Sequence, residues 1–106
     1  MGVSIRFATA ADANTLHRFI VELAEYEREP EAVEVTVEQL AEQLEQPSPP
    51  FECLLAERDG DPCGFALFFH SYSTWRGQRC MYLEDLFVPE TFRGAGVGEL
   101  LLATLA

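Results

Sequence analysis

The 106-residue chain predicts an α/β fold, and three of its features point there. Two hydroxyl-led capping boxes open helical patterns in the first half. Apolar or alternating stretches bounded by turn residues make strands in the second. A glycine-rich segment between the last strand and a closing apolar run then marks a strand–loop–helix join. This length suits one domain, residues 1–106.

Ser4-Ile5-Arg6-Phe7-Ala8 alternates and predicts a half-buried strand. Thr9-Ala10-Ala11-Asp12 has the hydroxyl and acid spacing of a capping box, and Leu16, Phe19, Ile20, Leu23 and Ala24 follow at helical intervals. Pro30 ends that helix or forces a break just before it, because proline disfavours the helical conformation of the residue before it. Thr36-Val37-Glu38-Gln39 is a second capping box, with Val35 and Leu40 placed to close a hydrophobic staple around it. The helix so opened turns Leu40, Ala41 and Leu44 inward and stops at Pro47-Ser48-Pro49-Pro50.

Phe51 to Glu57 predicts a strand, and Arg58-Asp59-Gly60-Asp61-Pro62 a turn. Cys63 to Phe69 is a nearly unbroken apolar run, suited to a central strand covered on both faces and paired as an antiparallel hairpin with its predecessor. Ser71 to Gln78 predicts a polar loop, and Arg79 to Val88 a further strand closed by Pro89. The final helix carries Leu100, Leu101, Leu102 and Leu105, which cannot all pack on one face of a sheet. It ends without a glycine or asparagine cap or a basic last turn, so the domain is expected to continue past Ala106.

Composition removes several function classes. A net charge of −11, with arginine the only strong base and no lysine, is wrong for a nucleic-acid partner. No apolar run is long enough to span a bilayer, and the N-terminus lacks the layout of a signal peptide. The expectation is a cytoplasmic protein with no membrane partner. Cys53, Cys63 and Cys80 are odd in number and lack metal-ligand spacing. They are expected to be buried thiols of a reducing compartment, with a reactive thiol as the alternative, and no metal site is predicted. From Glu22 to Glu45 the chain also carries Glu25, Glu27, Glu29, Glu31, Glu34, Glu38 and Glu42 against the single base Arg28. This is either a solvated helical surface or a field that draws a cationic substrate.

The densest chemistry lies in Arg93-Gly94-Ala95-Gly96-Val97-Gly98. Unpaired N–H groups at a helix N-terminus attract phosphate, glycines let it approach the backbone, and an arginine adds a planar cation. A Walker loop needs a lysine that this chain lacks. The dinucleotide fingerprint needs Gly-x-Gly-x-x-Gly rather than the Gly-x-Gly-x-Gly found here. A glycine-rich turn without a ligand remains the plain alternative. Just upstream, Tyr82-Leu83-Glu84-Asp85-Leu86-Phe87-Val88-Pro89 sets two acids inside an apolar strand, which is costly unless they face a cleft.

Tyr82 to Val88 followed by Arg93 to Gly98 resembles the diamine (spermidine/spermine) and thialysine acetyltransferase branch of the GNAT superfamily of N-acetyltransferases. The resemblance takes in Ala8 to Asp12, Leu23 to Glu27, Trp75 and Gly77, and so covers nearly the whole chain. It implies the GNAT fold, a mixed sheet with helices, of which these residues form the N-terminal two-thirds. It further implies an acetyl-CoA-dependent N-acetyltransferase acting on a small cationic amine, as a homodimer. Leu86, Phe87 and Val88 would offer backbone groups to the pantetheine arm and thioester. Arg93, Gly94, Ala95, Gly96, Val97, Gly98 and Glu99 would surround the pyrophosphate. Tyr26, Glu27 and Glu84 match amine-contacting positions, and Glu84 could take the proton an ammonium must lose before it attacks a thioester. The tyrosine that protonates the CoA thiolate in that family has no match here and is expected beyond Ala106. Transfer to another amine, such as a peptide or antibiotic, and a non-catalytic CoA-binding or dimerisation role both stay open.

Overall fold

The computed structural model describes residues 2–92 and 96–105. The first strand, β1 (Val3–Phe7), leads through a 3-10 turn at Ala10–Asp12 into α1 (Ala13–Tyr26). The first capping box acts one turn early, with Thr9 N–H donating to Asp12 Oδ2 at 2.8 Å. Arg6 donates two further 2.8 Å bonds to the same carboxylate, and its Nε donates to Glu57 at 3.0 Å. These hydrogen bonds from Arg6 are the main reason the Asp12 carboxyl is held down at about 2.

From α1 the residues Ala13, Leu16, Phe19 and Ala24 are buried, with Ile20 and Leu23 packed at the margin, as the helical spacing predicts. The helix stops before Pro30 is reached. Arg28 takes a positive φ of 64°, its N–H is donated to Glu25 O, and Glu29 N–H is donated to Ala24 O. This is a Schellman ending with arginine where glycine is usual, and Pro30 only opens the next 3-10 turn, Pro30–Ala32. The second helix, α2 (Val37–Leu44), begins where its capping box predicts. Thr36 Oγ1 accepts from Gln39 N, and Gln39 Oε1 accepts from Thr36 N.

The sheet order is β1-β2-β3-β4, antiparallel throughout, with β2 (Glu52–Arg58), β3 (Asp61–Ser73) and β4 (Gln78–Phe87). The helix-and-sheet class expected from the sequence is therefore observed. On one face α1 and α2 cover Cys53, Leu55, Phe65 and Phe87, and Phe19 stacks on Phe65 with centroids 5.8 Å apart. On the other, Val97 and Leu101 of α3 (Val97–Leu105) pack on Leu54, Ala56, Cys63, Ala66 and Phe68. The apolar run of β3 is thus buried from both sides, which explains why it does not alternate.

One detail differs from the sequence expectation. The polar loop at Ser71–Gln78 shrinks to the turn 74–77, because β3 continues to Ser73 and β4 starts at Gln78. In α3 the leucines divide as expected, with Leu101 fully buried and Leu100 and Leu102 exposed. Cys53 and Cys63 are buried, Cys80 is half-buried, and all three are unbonded thiols. Burial pushes the Cys53 thiol up to about 12 and raises that of Cys63, leaving little thiolate for chemistry. Among the described residues no helix is long and apolar enough to cross a membrane, and no cluster of side chains is placed to hold a metal ion.

Candidate functional site

Two neighbouring arrangements meet at the C-terminal half of β4. The first joins the strand end to the start of α3. Phe87 is buried, and Leu86 and Val88 are half-buried. Gly64 of β3 passes so close beneath that a Cβ would lie 3.1 Å from Phe87 O, 3.1 Å from Val97 Cγ1 and 3.3 Å from Val88 Cγ2. A side chain at this position would require its neighbours to give way by a few tenths of an ångström, so glycine lets β3 bring these two segments closest together. Gly96 has φ +78° and accepts the first helical bond, from Leu100 N at 3.0 Å. Among the described residues a Cβ at Gly96 would meet nothing within 4 Å, which leaves room beside that backbone for an approaching group. The first N–H groups of α3 lack helical acceptors, and Glu99 is exposed in the same turn. Arg93, Gly94 and Ala95 of the predicted pyrophosphate loop lie outside the described residues.

The second arrangement depends on a slip in strand register. Leu67 pairs with Asp85 but its neighbour Phe68 pairs with Leu83, leaving Glu84 as an extra residue on β4. Such a bulge re-aims side chains. Consecutive strand residues normally point to opposite faces, yet here Glu84 and Asp85 line one cavity of about 380 Å³. Its apolar wall is Ile20, Leu23 and Ala24 of α1, and the segment from Ala32 to Val35 closes another side. Among the described residues Glu27 and Glu34 complete a set of four carboxylates, and no basic side chain lines the cavity. Burial first, then the charges of Glu84 and Glu27, raise the proton affinity of the half-buried Asp85. A cavity holding that much uncompensated negative charge fits a ligand with more than one positive charge.

Of the residues expected to meet an amine, Glu27 and Glu84 come together here, whereas Tyr26 is 67% exposed and is not part of the lining. Asp85 and Glu34 also belong to the cavity; the sequence pointed Asp85 to a cleft as one of two acids in an apolar strand, but assigned neither residue to the amine. Adjacency to Glu84 was the available signal for Asp85, and membership of the acidic run was the signal for Glu34. A second cavity, about 460 Å³, opens further along β3 beside Phe51, Glu52, His70 and Arg79, and touches neither α3 nor the β4 bulge.

The acetyltransferase (GNAT) family model matches residues 15–106. The chain is 38% identical to a thialysine N-epsilon-acetyltransferase of Bos taurus, over 98% of this chain and 65% of that protein. It is 34% identical to a spermidine/spermine N(1)-acetyltransferase-like protein 1 of Homo sapiens, over 96% of this chain and 16% of the relative. It therefore spans about 65% of the length of the thialysine enzyme that it matches. Among solved structures, a ribosomal-protein-alanine N-acetyltransferase from Brucella melitensis superposes with a TM-score of 0.79 at 21% identity, covering 99% of this chain and 69% of that one. At that identity the likeness concerns the fold.

Proposed function

We propose that this chain, which belongs to the acetyltransferase (GNAT) family, moves an acetyl group from acetyl-CoA to a primary amine of a small cationic substrate, a polyamine or lysine-like amine. The observation that carries the substrate class is the cavity walled by Glu27, Glu34, Glu84 and Asp85 beside the end of β4. The names of the thialysine and spermidine/spermine relatives point the same way.

Acetyl-CoA supplies the activated acetyl group. The backbone at Gly96 and the N–H groups of Val97, Gly98 and Glu99, which as the first turn of α3 have no acceptor within the helix, fit its pyrophosphate, and Arg93, Gly94 and Ala95 are proposed to complete that grip. Leu86, Phe87 and Val88 offer main-chain groups to the pantetheine arm. N–H donors near Val88 meet the charge that develops on the acetyl oxygen. Ammonium groups are attracted into the carboxylate cavity, but attack on a thioester needs a neutral amine. Glu84, exposed at the bulge, takes that proton directly or through water, while Asp85 and Glu27 hold the remaining positive charge. As the C–N bond forms, the thioester C–S bond breaks and CoA leaves as its thiolate. Tyr26, at the end of α1, is proposed to flank the amine. A homodimer and a cytoplasmic location belong to the same proposal. The family resemblance supports the first, and three free thiols support the second.

Acetyl transfer to a panel of amines tests this. Dicationic amines are expected to react fastest. Glu84→Gln should lower kcat/KM by roughly 10²–10⁴ without weakening CoA binding. Equal rates for neutral and dicationic amines would remove the substrate class. CoA binding with no transfer to any amine would favour the non-catalytic alternative.

A further inference from the structure

The segment between the 3-10 turn Pro30–Ala32 and α2 has no regular structure over residues 33–36, with extended backbone at Val33 and Thr36, and forms one wall of the carboxylate cavity. Among the described residues no strand pairs with it, so its main chain is held at few points. Its ends are fixed, by Val33 N–H donating to Pro30 O at 3.4 Å and by the capping box at Thr36. Between them, His17 Nε2 lies 3.0 Å from Val35 O. A carbonyl can only accept, so Nε2 carries the hydrogen, and it does so whether the ring is neutral or charged. His17 is half-buried on α1 and stands three, seven and ten residues before Ile20, Ala24 and Glu27. That spacing puts it on the helical stripe that floors the cavity. The one bond therefore joins the floor to the wall that bears Glu34.

We infer that His17 is a positioning residue for the amine. By holding Val35 against α1 it fixes the distance between the Glu34 wall and the Glu84–Asp85 bulge, and so sets affinity for a dicationic amine without touching it. This inference rests on the function proposed above. Hydrophobic packing alone gives a different expectation, because Val35 also packs on the core cluster below α2. If packing suffices, an apolar residue of similar size at position 17 would serve as well as histidine.

The test compares His17→Leu, which keeps bulk and loses the donor, with His17→Gln, whose amide N–H has a similar reach. Two readouts are needed: amide hydrogen exchange over residues 31–39, and acetyl-transfer kinetics with a diamine. His17→Leu should speed exchange in that segment and raise the amine KM roughly 3–10-fold, the size of one lost hydrogen bond. Its kcat and the acetyl-CoA KM should stay within twofold, roughly the scatter expected when no interaction is lost. His17→Gln should restore both measures. Unchanged exchange in His17→Leu would overturn the strap. Faster exchange with an unchanged amine KM would overturn its role in affinity. Should the native protein acetylate no amine, the proposed function falls on its own, and the exchange rates still decide whether His17 holds the wall. Where His17→Leu fails to fold, His17→Asn, with its shorter side chain, takes its place in the same comparison.

Discussion

Asp85 sits half-buried beside two other carboxylates, so its folded-state proton affinity is raised, by burial first and by Glu84 and Glu27 next. Between its unfolded and folded pKa values the native chain holds more proton, so stability falls as pH rises through that window. Ionised Asp85 is thus a cost to the fold at neutral pH. Asp85→Asn keeps the shape and removes the charge. Its melting temperature at neutral pH should exceed that of the native protein, the gain shrinking as pH is lowered through the carboxylate range, while kcat/KM for amines falls. A lower melting temperature at neutral pH would contradict this account. Asp12 has the opposite sign. Held at about 2 by Arg6, it contributes stability above the usual carboxylate range and loses it as the solution is acidified. Glu84 was readable from the sequence because an acid in an apolar strand asks for a reason. That Asp85 shares its cavity was not, since alternation places neighbours on opposite faces and no glycine or proline announces the bulge at Glu84.

Element ends show the same limit. Thr36 and Gln39 marked the start of α2 because a capping box is local chemistry, with both partners inside one turn. A break just before Pro30 was expected, but the Schellman ending at Arg28 that makes it was not, because a left-handed arginine leaves no compositional trace. A non-glycine residue in that conformation costs about 1–2 kcal/mol. Arg28→Gly should therefore stabilise the protein by about 0.5–1 kcal/mol after the extra freedom glycine gives the unfolded chain, with the denaturant midpoint raised and the slope unchanged. Loss of stability would mean that the Arg28 side chain makes contacts that outweigh the strain. The β3–β4 turn was overestimated for a related reason. Beyond Phe68, the last β3 residue paired with β2, these strands form a two-stranded ribbon, so Ser71 and Ser73 need bury no face and read as loop.

Across the whole molecule, charge is sorted by region. Glu27 and Glu34 of the acidic run line the carboxylate cavity, and α3 covers the opposite face of the sheet. Attraction of a dication to that region acts partly through solvent and is screened over about 8–10 Å at physiological salt. Amine affinity should fall steadily as salt rises, while binding of a neutral amine of equal size stays nearly flat. Parallel salt dependence for the two would reduce the acidic run to a solubilising surface. The family-level fold was readable because its signals are local motifs. Assembly leaves no local signal, so the homodimer remains a proposal. The ribbon has a practical consequence of its own. Its turn carries Trp75, the sole tryptophan of the sequence, 98% exposed. The native protein should already emit as indole in water does, so unfolding will scarcely move the spectrum. A shift of that emission to the blue will report something covering the ribbon tip, and the protein thus carries a built-in optical probe of contact rather than of folding.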